Sequence, residues 1–136
     1  TVTDAHPGGD ILKIISGEDA DRAVFSEYHA MGSKTAAYMI RKGPYKLVHY
    51  VGYEPQLFDL GEDPEELNDL ARDANAQPIL EDLTAELNAI LDPVAVDRQA
   101  KADQATLMEA SGGREAVIER GDLGFSPPPG VAPDFN

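Results

Sequence analysis

The chain has 136 residues, no cysteine and a formal net charge of −14 at pH 7, so nucleic acid and anionic membrane surfaces repel it and no disulfide can form within it. Its 42% hydrophobic residues suffice for the core of one domain, while ten prolines and twelve glycines imply much loop. No apolar run approaches a membrane span and the first residues do not read as a secretion signal; a soluble chain is expected, with its compartment, cytoplasmic or periplasmic, left open.

Residues 1–9 read as loop, because His6-Pro7-Gly8-Gly9 discourages regular structure, and His6 is expected at the surface. Ile11, Leu12, Ile14 and Ile15 form an apolar cluster suited to one helical turn or a docking segment, after which glycine and three acids turn the chain. A strand is expected over 22–29, with Ala23, Phe25, Glu27 and His29 on one face and Val24, Ser26 and Tyr28 on the other. It ends in Glu27-Tyr28-His29 before the glycine-containing Ala30-Met31-Gly32-Ser33-Lys34. Carboxylate, phenol and imidazole at a strand end, before a loop, can line a pocket. The plainer alternative is that Glu27 caps or salt-bridges and His29 is a surface histidine.

Strands over 35–42 and 45–51 form a hairpin around Gly43-Pro44, where glycine takes a positive φ and proline fixes its own. Tyr45, Leu47, His49 and Val51 face one way, Lys46, Val48 and Tyr50 the other, so His49 is expected to be half-buried and structural. Lys46 is expected in a structural salt bridge. A short strand covers 56–60. Asp63-Pro64-Glu65-Glu66 then predicts a helix start, with Asp63 as N-cap, Pro64 at the first helical position and Glu66 reaching back. Tyr50, Tyr53 and Phe58 are expected to fill the space between sheet and helix.

From Pro78, the spacing of Ile79, Leu80, Leu83, Leu87, Ile90 and Leu91 predicts an amphipathic helix lying over the sheet. Asp92-Pro93 is a second cap-plus-proline start, followed by a helix with only a thin stripe of Val96, Ala100 and Leu107, suited to a surface or another subunit. Ser111-Gly112-Gly113 stops it, residues 114–120 are expected to form one or two helical turns, and Phe125 through Pro127-Pro128-Pro129 reads as an extended arm.

Read in order, Arg22-Ala23-Val24-Phe25-Ser26-Glu27-Tyr28, Tyr45-Lys46-Leu47, Gln56-Leu57-Phe58-Asp59-Leu60 and Asp63-Pro64-Glu65-Glu66-Leu67-Asn68-Asp69-Leu70-Ala71 resemble the carboxy-terminal subdomain of sulfatases, in the alkaline phosphatase superfamily, with its "R-x-V-x-S-E-Y", "yK", "LYDL" and "DPxExxNLA" series. Residues 9–17 are similar to the segment preceding that series, though Asp10 and Lys13 depart from its pattern. The tail from Gly112 resembles bacterial choline-sulfatase and phosphonate-monoesterase-like members. The resemblance implies a larger parent enzyme with a formylglycine nucleophile and a divalent cation, calcium, neither provided by this chain: it has no cysteine, and Ser126-Pro127-Pro128-Pro129-Gly130 lacks the arginine of a Cys/Ser-x-Pro-x-Arg motif.

The expectation is therefore an α+β fold, a small antiparallel sheet of about four strands packed against carboxy-terminal helices. Residues 1–21 form a linker or docking segment, 22–92 the sulfatase-like subdomain, and 93–136 a helix and proline-rich arm. In function, the chain is expected to complete the cleft of a sulfuric ester hydrolase, itself holding no catalytic residue and no metal site. By resemblance, Glu27, Tyr28 and His29 lie near the mouth of the active site and bind the substrate's leaving-group side. The missing amino-terminal catalytic domain and further copies of the chain, in a homo-oligomer, are the expected partners. The alternative is a non-enzymatic oligomerisation module whose acidic helices and proline arm mediate assembly.

Overall fold

A computed structural model of the chain describes residues 9–18, 21–29 and 33–120. The structure divides into two units, residues 1–94 and residues 95–136. The expected loop at 1–9, apart from Gly9, the loop residues 30–32 and the proline arm lie outside the described residues.

The first unit opens with α1 (Ile11–Ser16), where the Asp10 carboxylate accepts from the Leu12 N–H at 2.9 Å and Gly17, at φ 80°, closes the last turn. A six-residue helix has little intrinsic stability, and this one keeps its apolar side uncovered: Ile11, Leu12 and Ile15 are 67%, 71% and 77% exposed.

Four strands follow, β1 (Val24–Tyr28), β2 (Ala37–Lys42), β3 (Tyr45–Tyr50) and β4 (Gln56–Asp59), paired antiparallel in the order β1-β2-β3-β4. The β2–β3 register brings Lys42 opposite Tyr45 across a two-residue turn with Gly43 at φ 56°. That positive φ at the first central position suits the twist of a hairpin, and Pro44 suits the second. Because side chains alternate, Tyr38, Ile40, Leu47 and Leu57 share one face, and all four are fully buried. Against β2 and β3 packs α2 (Gln77–Ile90), contributing Leu83 and Leu87 to the same core. Each fully buried leucine supplies about 1.5–3 kcal/mol of transfer free energy. Ile90, expected in that stripe, is exposed instead, since it falls on the last turn, where the helix ends. An ion pair from Lys42 at the end of β2 to Glu86 on α2 fixes the helix across the sheet, and bonding to this carboxylate raises the Lys42 ammonium's pKa. The α+β architecture is as expected.

Two expectations are corrected on the other face of the sheet. Residues 63–71 do not form a helix: the backbone makes a turn from Asp63 to Glu66, the Asp63 carboxylate accepts from Asn68 N–H at 2.7 Å, and Glu66 stands at φ 58°. The competing force is tertiary. Glu66 is drawn to Lys46, whose ammonium lies 2.7 and 2.8 Å from its two carboxylate oxygens. Beyond it the chain pairs with β4, Leu57 N–H donating to Asp69 Oδ1 at 3.0 Å and Leu70 N–H to the Leu57 carbonyl at 2.7 Å. Local capping preferences yield to these contacts. The same loop changes the role of the aromatics. Phe58 is buried and Tyr50 half-buried, but both face away from α2, while Tyr53 is exposed.

The Asp92 carboxylate accepts from Val94 N–H at 3.0 Å and caps α3 (Pro93–Ala110), as its cap-plus-proline wording predicts. In the second unit α3 continues from Ala95 and α4 (Gly113–Arg120) follows a glycine turn. Leu107 and Met108 are exposed. No helix among the described residues is long and apolar enough to cross a membrane.

Candidate functional site at the end of the edge strand

β1 is an edge strand, and the register sets what its last residues can do. Glu27 lies opposite Tyr38 and Tyr28 opposite Ala37, so Glu27 shares the core face of β2, and alternation puts His29 on the same side. The two meet: His29 Nε2 is 3.2 Å from Glu27 Oε2, within hydrogen-bonding distance for an imidazole N–H donating to a carboxylate. The His29 ring packs edge-on to Tyr38 with centroids 5.5 Å apart. Tyr28 projects from the opposite face and is 52% exposed. The structure thus brings Glu27 and His29 together and sets Tyr28 apart from them.

Tyr38 is the residue that reading the sequence missed. Its ring contacts three others, stacking with Phe25 at 6.3 Å, meeting His29 edge-on and lying 6.5 Å from His49. Its hydroxyl donates to the Pro93 carbonyl at 3.1 Å, which ties the middle of the sheet to the start of α3. The signal was present in the hairpin, since counting back from Gly43-Pro44 puts Tyr38 beside Ile40 on the apolar face and opposite His49. Burial pushes the His49 imidazole below its ordinary pKa.

A carboxylate holding an imidazole can accept from hydroxyl groups, but the hydroxyl-bearing residues of β1, Ser26 and Tyr28, are on the other face. Among the described residues no group of three or more His, Cys, Asp or Glu side chains is placed to hold a metal ion.

On the opposite face, at the same end of the sheet, lies an open groove of about 410 Å³ between the β3–β4 connection and residues 69–72. Tyr50 donates from its hydroxyl to Gln56 Oε1 at 3.1 Å along one side of it.

The order of these elements is that of a known group of proteins. Residues 5–92 match the family described as N-sulphoglucosamine sulphohydrolase, C-terminal. The chain belongs to the sulfatase family, as a carboxy-terminal domain. Arylsulfatase K of Danio rerio is 32% identical to it over 90 residues, which are 64% of this chain and 17% of that protein. The Mus musculus arylsulfatase K is 33% identical over 76 residues, 47% of this chain and 14% of that protein. Among solved structures, a sulfatase-type protein from Bacteroides thetaiotaomicron superposes with a TM-score of 0.55 at 29% identity, covering 65% of this chain and 20% of its own. A 2-O GAG sulfatase gives a TM-score of 0.55 at 27% identity over 78% of this chain and 23% of its own. This sulfatase domain therefore spans less than a quarter of the length of these relatives, and their length implies an amino-terminal domain that precedes it in the whole protein.

Proposed function

We propose that this domain completes the active-site cleft of a sulfuric ester hydrolase and that the end of β1 contacts the leaving-group side of its substrate. The observation that carries this reading is the Glu27–His29 pair, held at 3.2 Å on one face of an edge strand that ends beside a loop. In this role the His29 ring, its Nε2 N–H donating to Glu27, holds that carboxylate against the leaving group. Glu27 fixes the ring and accepts from a neighbouring hydroxyl. Tyr28, directed to the other face, reaches the substrate only around the strand end. A sulfated sugar is the substrate class we favour, supported by the likeness to a 2-O GAG sulfatase.

Formylglycine and calcium, which the family implies, do not fit the residues present: the chain has no cysteine, none of its serines opens a Ser-x-Pro-x-Arg sequence, and its described residues assemble no metal-binding group. Both are assigned to the part of the protein outside this chain, together with the nucleophilic step. A second reading, assembly into a homo-oligomer, is favoured by the uncovered Ile11, Leu12 and Ile15 of α1.

The test uses the full-length protein carrying this domain. His29→Ala and Glu27→Gln are expected to lower kcat/KM for a sulfated disaccharide by about tenfold, some 1.4 kcal/mol of transition-state binding, and to leave a small aryl sulfate unaffected. Unchanged kinetics on both substrates would remove the recognition role. Unchanged kinetics with an altered oligomer size by light scattering would favour assembly.

A further inference from the structure

We propose that the groove on the sheet face opposite Glu27 and His29 is a binding site for an uncharged sugar ring. Four features of the groove point to that chemistry. Tyr53, on the turn after β3, is 62% exposed and presents a phenol ring at the groove's edge. Pro55 and Ala71 give it an apolar lining. Gln56 accepts from Tyr50 through Oε1, which leaves its amide NH2 to donate. Asp69 commits Oδ1 to the N–H groups of Leu57 and Ala71, at 3.0 and 2.9 Å, which leaves Oδ2 to accept.

A pyranose has an apolar C–H face and a rim of hydroxyls that both donate and accept. An exposed aromatic ring suits the face, and a fixed carboxylate beside an amide suits the rim. The volume, about 410 Å³, lies within the range of roughly 300–1,000 Å³ over which small-molecule sites occur. Asp69 is held by backbone bonds on two sides, so its acceptor does not have to be ordered on binding.

Charge decides which sugars. Arg72 is the groove's one cation among the described lining residues, and its Nε lies 3.8 Å from Glu54 Oε2. Asp69 adds a further acid, and the whole chain carries −14. A sulfated or carboxylated unit therefore meets repulsion, while a neutral one does not. The groove also connects with the β1 end in one respect. Tyr28, Ala37 and Tyr50 are in register across three strands on this face, so a small residue separates two tyrosines along the row leading to the groove.

The experiment is an amide chemical-shift titration of the 136-residue chain with cellobiose, lactose and N,N′-diacetylchitobiose, beside a sulfated disaccharide of the same length. At least one neutral disaccharide is expected to shift amides of residues 52–57 and 69–72 with a Kd of about 1 mM, and more tightly than the sulfated one. Tyr53→Ala should weaken that binding about tenfold with the amide dispersion of the fold retained, and Tyr53→Phe, which keeps the ring, should restore it. Absence of localised shifts with all three neutral sugars, tighter binding of the sulfated one, or equal binding by Tyr53→Ala would each overturn the proposal. The groove uses neither Glu27 nor His29, so this result and the kinetic result on those residues stand or fall separately.

Discussion

His49 shows how a single side chain reports on the packing around it. It lies on the α2-facing side of β3, near Tyr38, and burial lowers its imidazole pKa from 6.5 because the charged form loses water there. Between the lowered value and 6.5 the unfolded chain binds more protons at this position than the folded one. Stability from this residue is therefore complete above pH 6.5, falls as the pH drops through that window, and levels off below the folded value. Urea midpoints of the wild type and His49→Gln at about pH 7.5 and about pH 5 should converge on acidification, with the wild type losing more than the variant. Equal losses in both would mean that His49 is solvated. Its half-buried state was readable from the alternation of Tyr45, Leu47, His49 and Val51. The ring of Tyr38 beside it took one step more, because that contact follows only once the two strands are paired about Gly43-Pro44.

At the scale of elements, legibility followed the range of the interactions. The hairpin was readable because Gly43-Pro44 and the alternating pattern act locally and agree. So were α2, from its leucine stripe, and α3, from Asp92-Pro93. The segment after β4 was not, although its wording is that of a helix start. Its conformation is set by Lys46, twenty residues back, and by the free edge of β4, and neither partner is visible in the window from Asp63 to Leu70. The positive φ of Glu66 gives this difference a sign that can be measured. In a helix interior Gly is about 1 kcal/mol worse than Ala. In the left-handed conformation the order reverses, because a Cβ there costs roughly 1–2 kcal/mol and glycine has none. Glu66→Ala and Glu66→Gly both lose the bond to Lys46, so their difference isolates the backbone, and Glu66→Gly should be the more stable by about 1 kcal/mol in denaturant unfolding. A less stable Glu66→Gly would restore the helical reading.

For the whole molecule, the distribution of buried residues says which part can fold by itself. Among the described residues, every buried apolar side chain lies between Ala36 and Pro93, within the first unit. Both helices of the second unit leave most of their length exposed, and α3 has only a thin apolar stripe, so neither has a face that supplies much burial energy. A short chain in water depends on a packed apolar face rather than on helix propensity, and here that face belongs to the sheet and α2. A chain ending at Val94 keeps all of those residues, the Lys42–Glu86 pair and the Pro93 carbonyl that receives the Tyr38 hydroxyl. It should melt cooperatively with a midpoint within about 5 °C of the full chain, since roughly 1 kcal/mol moves a domain of this size by 4–8 °C. Loss of the cooperative transition, followed by circular dichroism at 222 nm, would show that the sheet needs residues beyond Val94 to hold its core. Leu87→Ala in the shortened chain is the internal control. Where the shortened chain melts cooperatively, removing a fully buried leucine should cost about 2–5 kcal/mol, so a small effect would mean that the shortened chain had not formed this core.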